Sequence, residues 1–214
     1  MNVLSQTITR MSSEKLDTEV RQDQITQAAL NLIASHGFRE LSMVKIARKV
    51  GIVPSAIYRH FKNKEEVLDA AFDQVQGRLY DNVGIVCNET SEPLDRLKRL
   101  LIYHVKLIRE SQGILRIVLS EDIYNGHSER RIKVYNIIKG YLDKIDKIVS
   151  QGQQEGKIRQ DRDAATISLM FLSIIQQAAI LWHISNGKFD VTRHAEKAWR
   201  IFNEYLEIIA VQIS

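Results

Sequence analysis

The chain has 214 residues, of which 44% are hydrophobic and 26% charged, and a formal net charge of +4. That length is enough to bury a core well beyond what a lone DNA-binding module of roughly 60 residues offers. Its single cysteine, Cys87, excludes an internal disulfide and a multi-cysteine metal site.

Residues 1–18 are polar and lack the apolar run of a signal peptide, so they are expected to form a flexible tail and the protein to stay in the cytoplasm. Residues 19–65 are expected to form a three-helix DNA-binding domain, and the positive charge is concentrated there. Residues 1–65 hold ten Lys and Arg against six Asp and Glu, whereas residues 66–214 hold twenty of each. Within the domain, Leu41–Lys64 carries six Lys or Arg and no acidic residue. Val44, Ile46, Ala47 and Val50 recur at helical spacing, Gly51 follows where the chain turns, and Ile52 and Ile57 supply apolar contacts for a second short helix. This is a helix-turn-helix pattern. Ala47 lets the second helix approach the first, Gly51 takes a positive φ without steric cost, and a bulky residue at either is expected to open the corner.

The second helix is predicted from Val53 or Pro54 to Arg59. Ile57 faces the protein, leaving Pro54, Ser55, Ala56, Tyr58, Arg59 and His60 outward or at the edge. Small residues let the helix start sink into a major groove, Arg59 suits a guanine edge, and Tyr58 and His60 reach phosphates. Charge alone fits a merely solvated face equally well; the spacing of Ala47, Gly51 and Ile57 decides for DNA.

Ile25, Ala28, Ala29, Leu32, Ile33, Gly37, Phe38, Ile46, Ala47, Gly51, the run Ala56 to Phe61, and Asn63-Lys64-Glu65 together resemble the N-terminal domain of the TetR family of bacterial repressors. The resemblance covers some 50 contiguous residues and ends near Phe72. It implies an all-α homodimer whose N-terminal domains bind a palindromic double-stranded DNA operator. Its larger helical C-terminal domains, here residues 66–214, are expected to dimerise and to bind a small inducer. Carried onto matching positions, it places DNA contacts at Ser42, Met43, Lys45, Ser55, Tyr58, Arg59, His60 and Lys64. One departure is Val53, where the family has Ser or Thr to accept free amide hydrogens. The helix beginning near Lys64 offers a further N-terminus for phosphate.

Beyond Lys64 a long helix is predicted to about Cys87, the connection and lever between domains, followed by helices near 93–112, 114–120, 127–155, 161–186 and 193–213. From Ala164 to Ile184 apolar residues occupy almost every face, which demands cover on every face. Gln176 and Gln177 and the short length argue against a membrane span. Ala195, Ala198, Trp199, Phe202, Tyr205, Leu206 and Ile209 form a further stripe, so two copies of these last two helices are expected to build an intermolecular four-helix bundle. The competing reading has the chain's own helices covering both faces.

A small apolar ligand is expected among the middle helices near Tyr103, His104, Leu107, Ile117, Phe171, Ile175 and Trp182, with His183 a further polar tip. A metal at Glu121, Asp122 and His127, with His104, lacks any recognised ligand spacing, and no cofactor is expected. Nucleophile–base pairs, glycine-rich phosphate loops and metal clusters are not visible, so the chain is not expected to be an enzyme. The alternative to an inducible repressor is a DNA-binding protein that organises the chromosome or acts in division through a protein partner.

Overall fold

The computed structural model describes residues 3–118, 120 and 128–207. Among them are nine α-helices and one 3-10 turn, with no strand, which agrees with the all-α reading. Cα packing divides the chain into one unit of Met1–Gln74 with Gln112–Gly126 and a second of Val75–Ser111 with His127–Ser214.

In the N-terminal unit, α1 (Val3–His36) extends through the stretch for which the sequence predicts a tail. Its buried face presents Ile25, Ala28, Ala29, Leu30 and Ile33, at the helical repeat of three and four residues. A 3-10 turn (Phe38–Glu40) leads to α2 (Met43–Val50), α3 (Pro54–Ile57) and the first turns of α4 (Lys64–Glu89). Ile46, Ala47, Ile57, Val67 and Leu68 are fully buried and close this small core.

The unit also takes in α6 (Gln112–Val118), which the sequence division at residue 65 assigns to the C-terminal domain. Gly113 explains how closely α6 lies on α1, because a Cβ there would stand 2.3 Å from the Leu30 carbonyl oxygen. Arg116 donates to the Ile33 carbonyl at 3.2 Å, satisfying one of the last carbonyls of α1.

The C-terminal unit contains the rest of α4, α5 (Pro93–Glu110), α7 (Ser128–Gln154), α8 (Ala164–Ile184) and α9 (Val191–Leu206). The helix ends follow the sequence reading to within a few residues, except that α9 ends at Leu206, where 213 was predicted; Ile209 lies outside the described residues. Asp163 accepts from the Thr166 amide at 2.8 Å and Asp190 from the Arg193 amide at 3.0 Å, capping α8 and α9. Arg96 binds the Cys87 and Thr90 carbonyls at the end of α4 and Gln151 on α7, joining three helices. Tyr141, Ile145, Phe171, Ile175, Phe202 and Leu206 fill the core, with the Phe171 and Phe202 rings 6.1 Å apart. Helix α8 has the length and apolar character of a membrane span, but its Ile167, Phe171 and Ile175 are buried in this core.

Candidate functional site

The corner between α2 and α3 is closed by the backbone itself. Gly51 sits at φ 83°, its amide donating to Ala47 and Arg48 carbonyls, and the Ile52 amide donates to the Ala47 carbonyl at 3.0 Å. This is the Schellman arrangement. A Cβ at Gly51 would meet nothing within 4 Å, so the demand for glycine there is conformational rather than spatial. The expectation that bulk at Gly51 opens the corner is corrected in that sense. At Ala47, which is fully buried, the demand for a small side chain stands.

Ser42 accepts from the Lys45 amide at 3.3 Å and caps α2, while Val53 gives α3 no side-chain cap. α3 is shorter than predicted, and Tyr58, Arg59 and His60 continue it as tight turns, with the Arg59 amide on the Ala56 carbonyl at 3.2 Å and that of His60 on Ile57 at 3.0 Å. Pro54, Ser55, Tyr58 and Arg59 are exposed. His60 is half-buried: its Nδ1 faces inward with no hydrogen-bond partner, and its carbonyl accepts from Gln22 at 3.4 Å. Only the other edge of its ring is left for a phosphate.

Three further expectations change. Met43 is only 8% exposed, since its apolar side chain is drawn into the unit's core, and it leaves the contact set. Lys45 is exposed but paired with Glu40, whose carboxyl is held below the usual range by the hydrogen bond and charge of that ammonium. Lys64 lies 5.2 Å over the Phe38 ring. The start of α4 offers little to phosphate, because Asn63 accepts from the Glu66 amide and Glu66 from the Lys62 amide, each within 2.9 Å. Arg48, Lys49 and Lys62, not singled out from sequence, are exposed cations of the same segment; the signal was their place in an acid-free run.

The residues expected to form a ligand pocket do not converge. Ile117 is fully buried in α6, in the N-terminal unit, whereas the other six belong to the C-terminal unit. Tyr103 donates to Glu89 at 2.9 Å near the surface, and that carboxylate pushes its phenol up from its ordinary value. His104 meets the Tyr141 hydroxyl at 3.1 Å inside the core, where burial lowers its pKa to about 4 and raises that of Tyr141. The hydroxyl therefore donates to a neutral imidazole. Leu107, Phe171 and Ile175 are core residues, and Trp182 packs beside the Gly187 turn that ends α8. Glu121, Asp122 and His127 lie outside the described residues.

The C-terminal unit carries instead a groove of about 860 Å³ between α5 and α9, lined by Leu101, Ile102, Val105, Ala195 and Trp199 with Lys98, Lys106, Arg109 and Arg200 at its edges. Sequence reasoning missed it, although Lys98, Ile102, Val105, Lys106 and Arg109 recur at intervals that share one helix face.

Comparison with known proteins places these features. The family of bacterial regulatory proteins of tetR type matches residues 25–71, and the YsiA-like protein C-terminal region matches residues 72–204. The fatty acid metabolism regulator protein of Bacillus subtilis (strain 168) is 29% identical over 168 residues, 78% of this chain and 86% of that protein. The crystal structure of the transcriptional regulator FadR from Bacillus subtilis in complex with stearoyl-CoA matches with a TM-score of 0.73 at 26% identity, covering 86% of this chain and 98% of that one. The nucleoid occlusion factor SlmA of Shewanella pealeana is 22% identical over 190 residues, 87% of this chain and 94% of that protein. With its helix-turn-helix unit and its C-terminal region matched in sequence from residue 25 to residue 204, the chain belongs to the tetR family of bacterial transcriptional regulators.

Proposed function

We propose that the protein is a cytoplasmic repressor that binds a palindromic operator as a homodimer and lets it go when a fatty acyl-CoA binds the C-terminal unit. The observation that carries the DNA half is the α2–α3 corner. Its backbone hydrogen bonds are satisfied internally, while Ser55, Tyr58 and Arg59 are presented outward beside exposed Arg48, Lys49 and Lys62. Ser55 and Pro54 let the backbone approach a groove, Arg59 reads a base edge, and Tyr58, Lys45 and Lys62 hold phosphates. Lys64 and His60 contribute phosphate contacts once they turn from their resting partners.

The dimer half rests on α8 and α9. Leu169, Met170, Leu181 and Ile184 on α8 and Ile201 on α9 are exposed by 41–72%, an apolar face with no cover from within the chain. A second copy supplies that cover and presents two recognition helices to successive major grooves. The ligand half draws on the relatives named as a fatty acid metabolism regulator and as a FadR bound to stearoyl-CoA.

The experiment is capture of fragmented chromosomal DNA by the purified protein, followed by anisotropy titration of the enriched sites. A few palindromic sites, affinity falling with salt at a log–log slope of roughly −7, and release by palmitoyl-CoA are expected. The likeness to a nucleoid occlusion factor favours a second reading, in which the protein marks the chromosome for a division partner. Many dispersed sites that ignore palmitoyl-CoA would establish that reading in place of the first.

A further inference from the structure

We infer that the groove between α5 and α9 is a binding site for a long acyl chain carrying a phosphate-rich nucleotide head. This inference rests on the acyl-CoA reading above and gives it an address that no sequence expectation contained. The groove is built of two chemistries. Leu101, Val105, Ala195 and Trp199 are buried by more than nine-tenths and form apolar walls, while Ile102 is 57% exposed at the lip. Such an apolar patch kept open to water is characteristic of a ligand cleft rather than of a core.

Around it stand Lys98, Lys106 and Arg109 from α5 and Arg200 from α9. Lys98 and Arg109 lie eleven positions apart on one helix, so the α5 cations span about 16 Å along the groove. Two carboxylates, Glu110 and Glu196, share the lining, but Glu110 is engaged by Arg78, which is not among the lining residues. The balance is cationic. A single fatty-acid carboxylate matches one of these cations, whereas a row of phosphates matches several, and guanidinium and ammonium groups suit phosphate oxygens. A second copy of the chain is the weaker occupant. Ile201, the exposed apolar residue of α9, falls about half a turn from the helix face that Thr192, Ala195, Glu196, Trp199 and Arg200 present to the groove, at roughly 100° per residue.

The test is calorimetric titration of the full-length protein with palmitoyl-CoA, palmitate and CoA separately, paired with operator release by anisotropy. Ile102→Glu, at an exposed position, sets a carboxylate in the path of the chain. It is expected to weaken palmitoyl-CoA at least about tenfold, and the pair Lys98→Gln, Arg200→Gln to weaken palmitoyl-CoA by about as much while changing palmitate less. Operator binding without ligand, preserved in both variants, shows that they fold. If palmitoyl-CoA binds and releases the wild type and both variants alike, the ligand sits elsewhere and the groove assignment falls while the acyl-CoA reading stands. A wild type that ignores palmitoyl-CoA overturns both. A change of oligomeric state in Ile102→Glu makes the groove an interface between copies and overturns the assignment alone.

Discussion

The two units leave opposite kinds of surface unsatisfied. The N-terminal unit buries its apolar side chains well with short helices and keeps Arg48, Lys49, Arg59 and Lys62 in water. The C-terminal unit has longer helices and a larger core, yet it exposes Leu169, Met170, Leu181, Ile184 and Ile201. Single apolar residues at a surface are ordinary, but a stripe along one helix and its neighbour is not. A unit that displays cations on a preformed corner is made for a polyanion, and a unit that displays an apolar face is made for another apolar face. The difference assigns a partner to each half of the chain.

The strongest way to break that comparison is to charge the apolar face. Leu169→Glu with Ile184→Glu should turn a dimer into a monomer in sedimentation at micromolar protein. Operator affinity should then fall by about 10²–10⁴, the avidity contributed by the second half-site. Because both residues are exposed, the monomer should keep its helical circular dichroism. A dimer that survives both charges would move the interface off α8.

The next effect separates the two cores by pH. His104 is buried beside Tyr141 with its pKa lowered by desolvation from 6.5 to about 4. Between those values the unfolded chain takes up a proton that the folded chain refuses, so the folded state is favoured fully above pH 6.5 and loses the contribution as pH falls toward 4. The loss amounts to about 3 kcal/mol across that range. Urea unfolding at pH 7 and pH 5 should show it, and His104→Gln, which keeps an acceptor for the Tyr141 hydroxyl, should flatten the dependence. An equal slope in the variant would show that another group carries it.

A substitution at Gly113 then asks whether α6 belongs to the N-terminal core. Gly113→Ala places a methyl against the Leu30 carbonyl, a backbone atom that cannot swing aside, and should cost about 1–3 kcal/mol. Chemical denaturation should register the loss, with operator affinity falling as α1 shifts. Unchanged stability would mean that α6 is readily displaced from α1.

These contrasts show which parts were legible in sequence. The α2–α3 corner was, because Ala47, Gly51 and Ile57 act over a dozen neighbouring residues and the backbone alone closes the Schellman turn. Helix α8 was, because an all-round apolar helix announces its need for cover. Choices made between distant residues were not. Nothing local says that Met43 turns inward, that Phe38 receives Lys64, or that Gly113 is spent on contact with Leu30. The groove was half legible, since α5 displays its cations on one face but only the packing of α9 gives them an apolar cleft to surround.

The smallest predicted effect tests how ready the cationic corner is before DNA arrives. Lys45, a proposed phosphate contact, is held by Glu40, with side-chain exposures of 47% and 60%. An exposed pair of this kind is worth no more than about 1 kcal/mol, and a phosphate must displace the carboxylate to gain the ammonium. Glu40→Gln removes the competitor and one negative charge from the approach path, so it should tighten binding by about twofold to fivefold, within that bound. The gain should be similar on operator and random DNA, since phosphates carry no sequence, and should fade as salt screens the charges. Anisotropy titrations of both DNAs at two salt concentrations measure it. A gain confined to the operator would place Glu40 beside a base edge, and no gain at low salt would mean that Lys45 meets no phosphate.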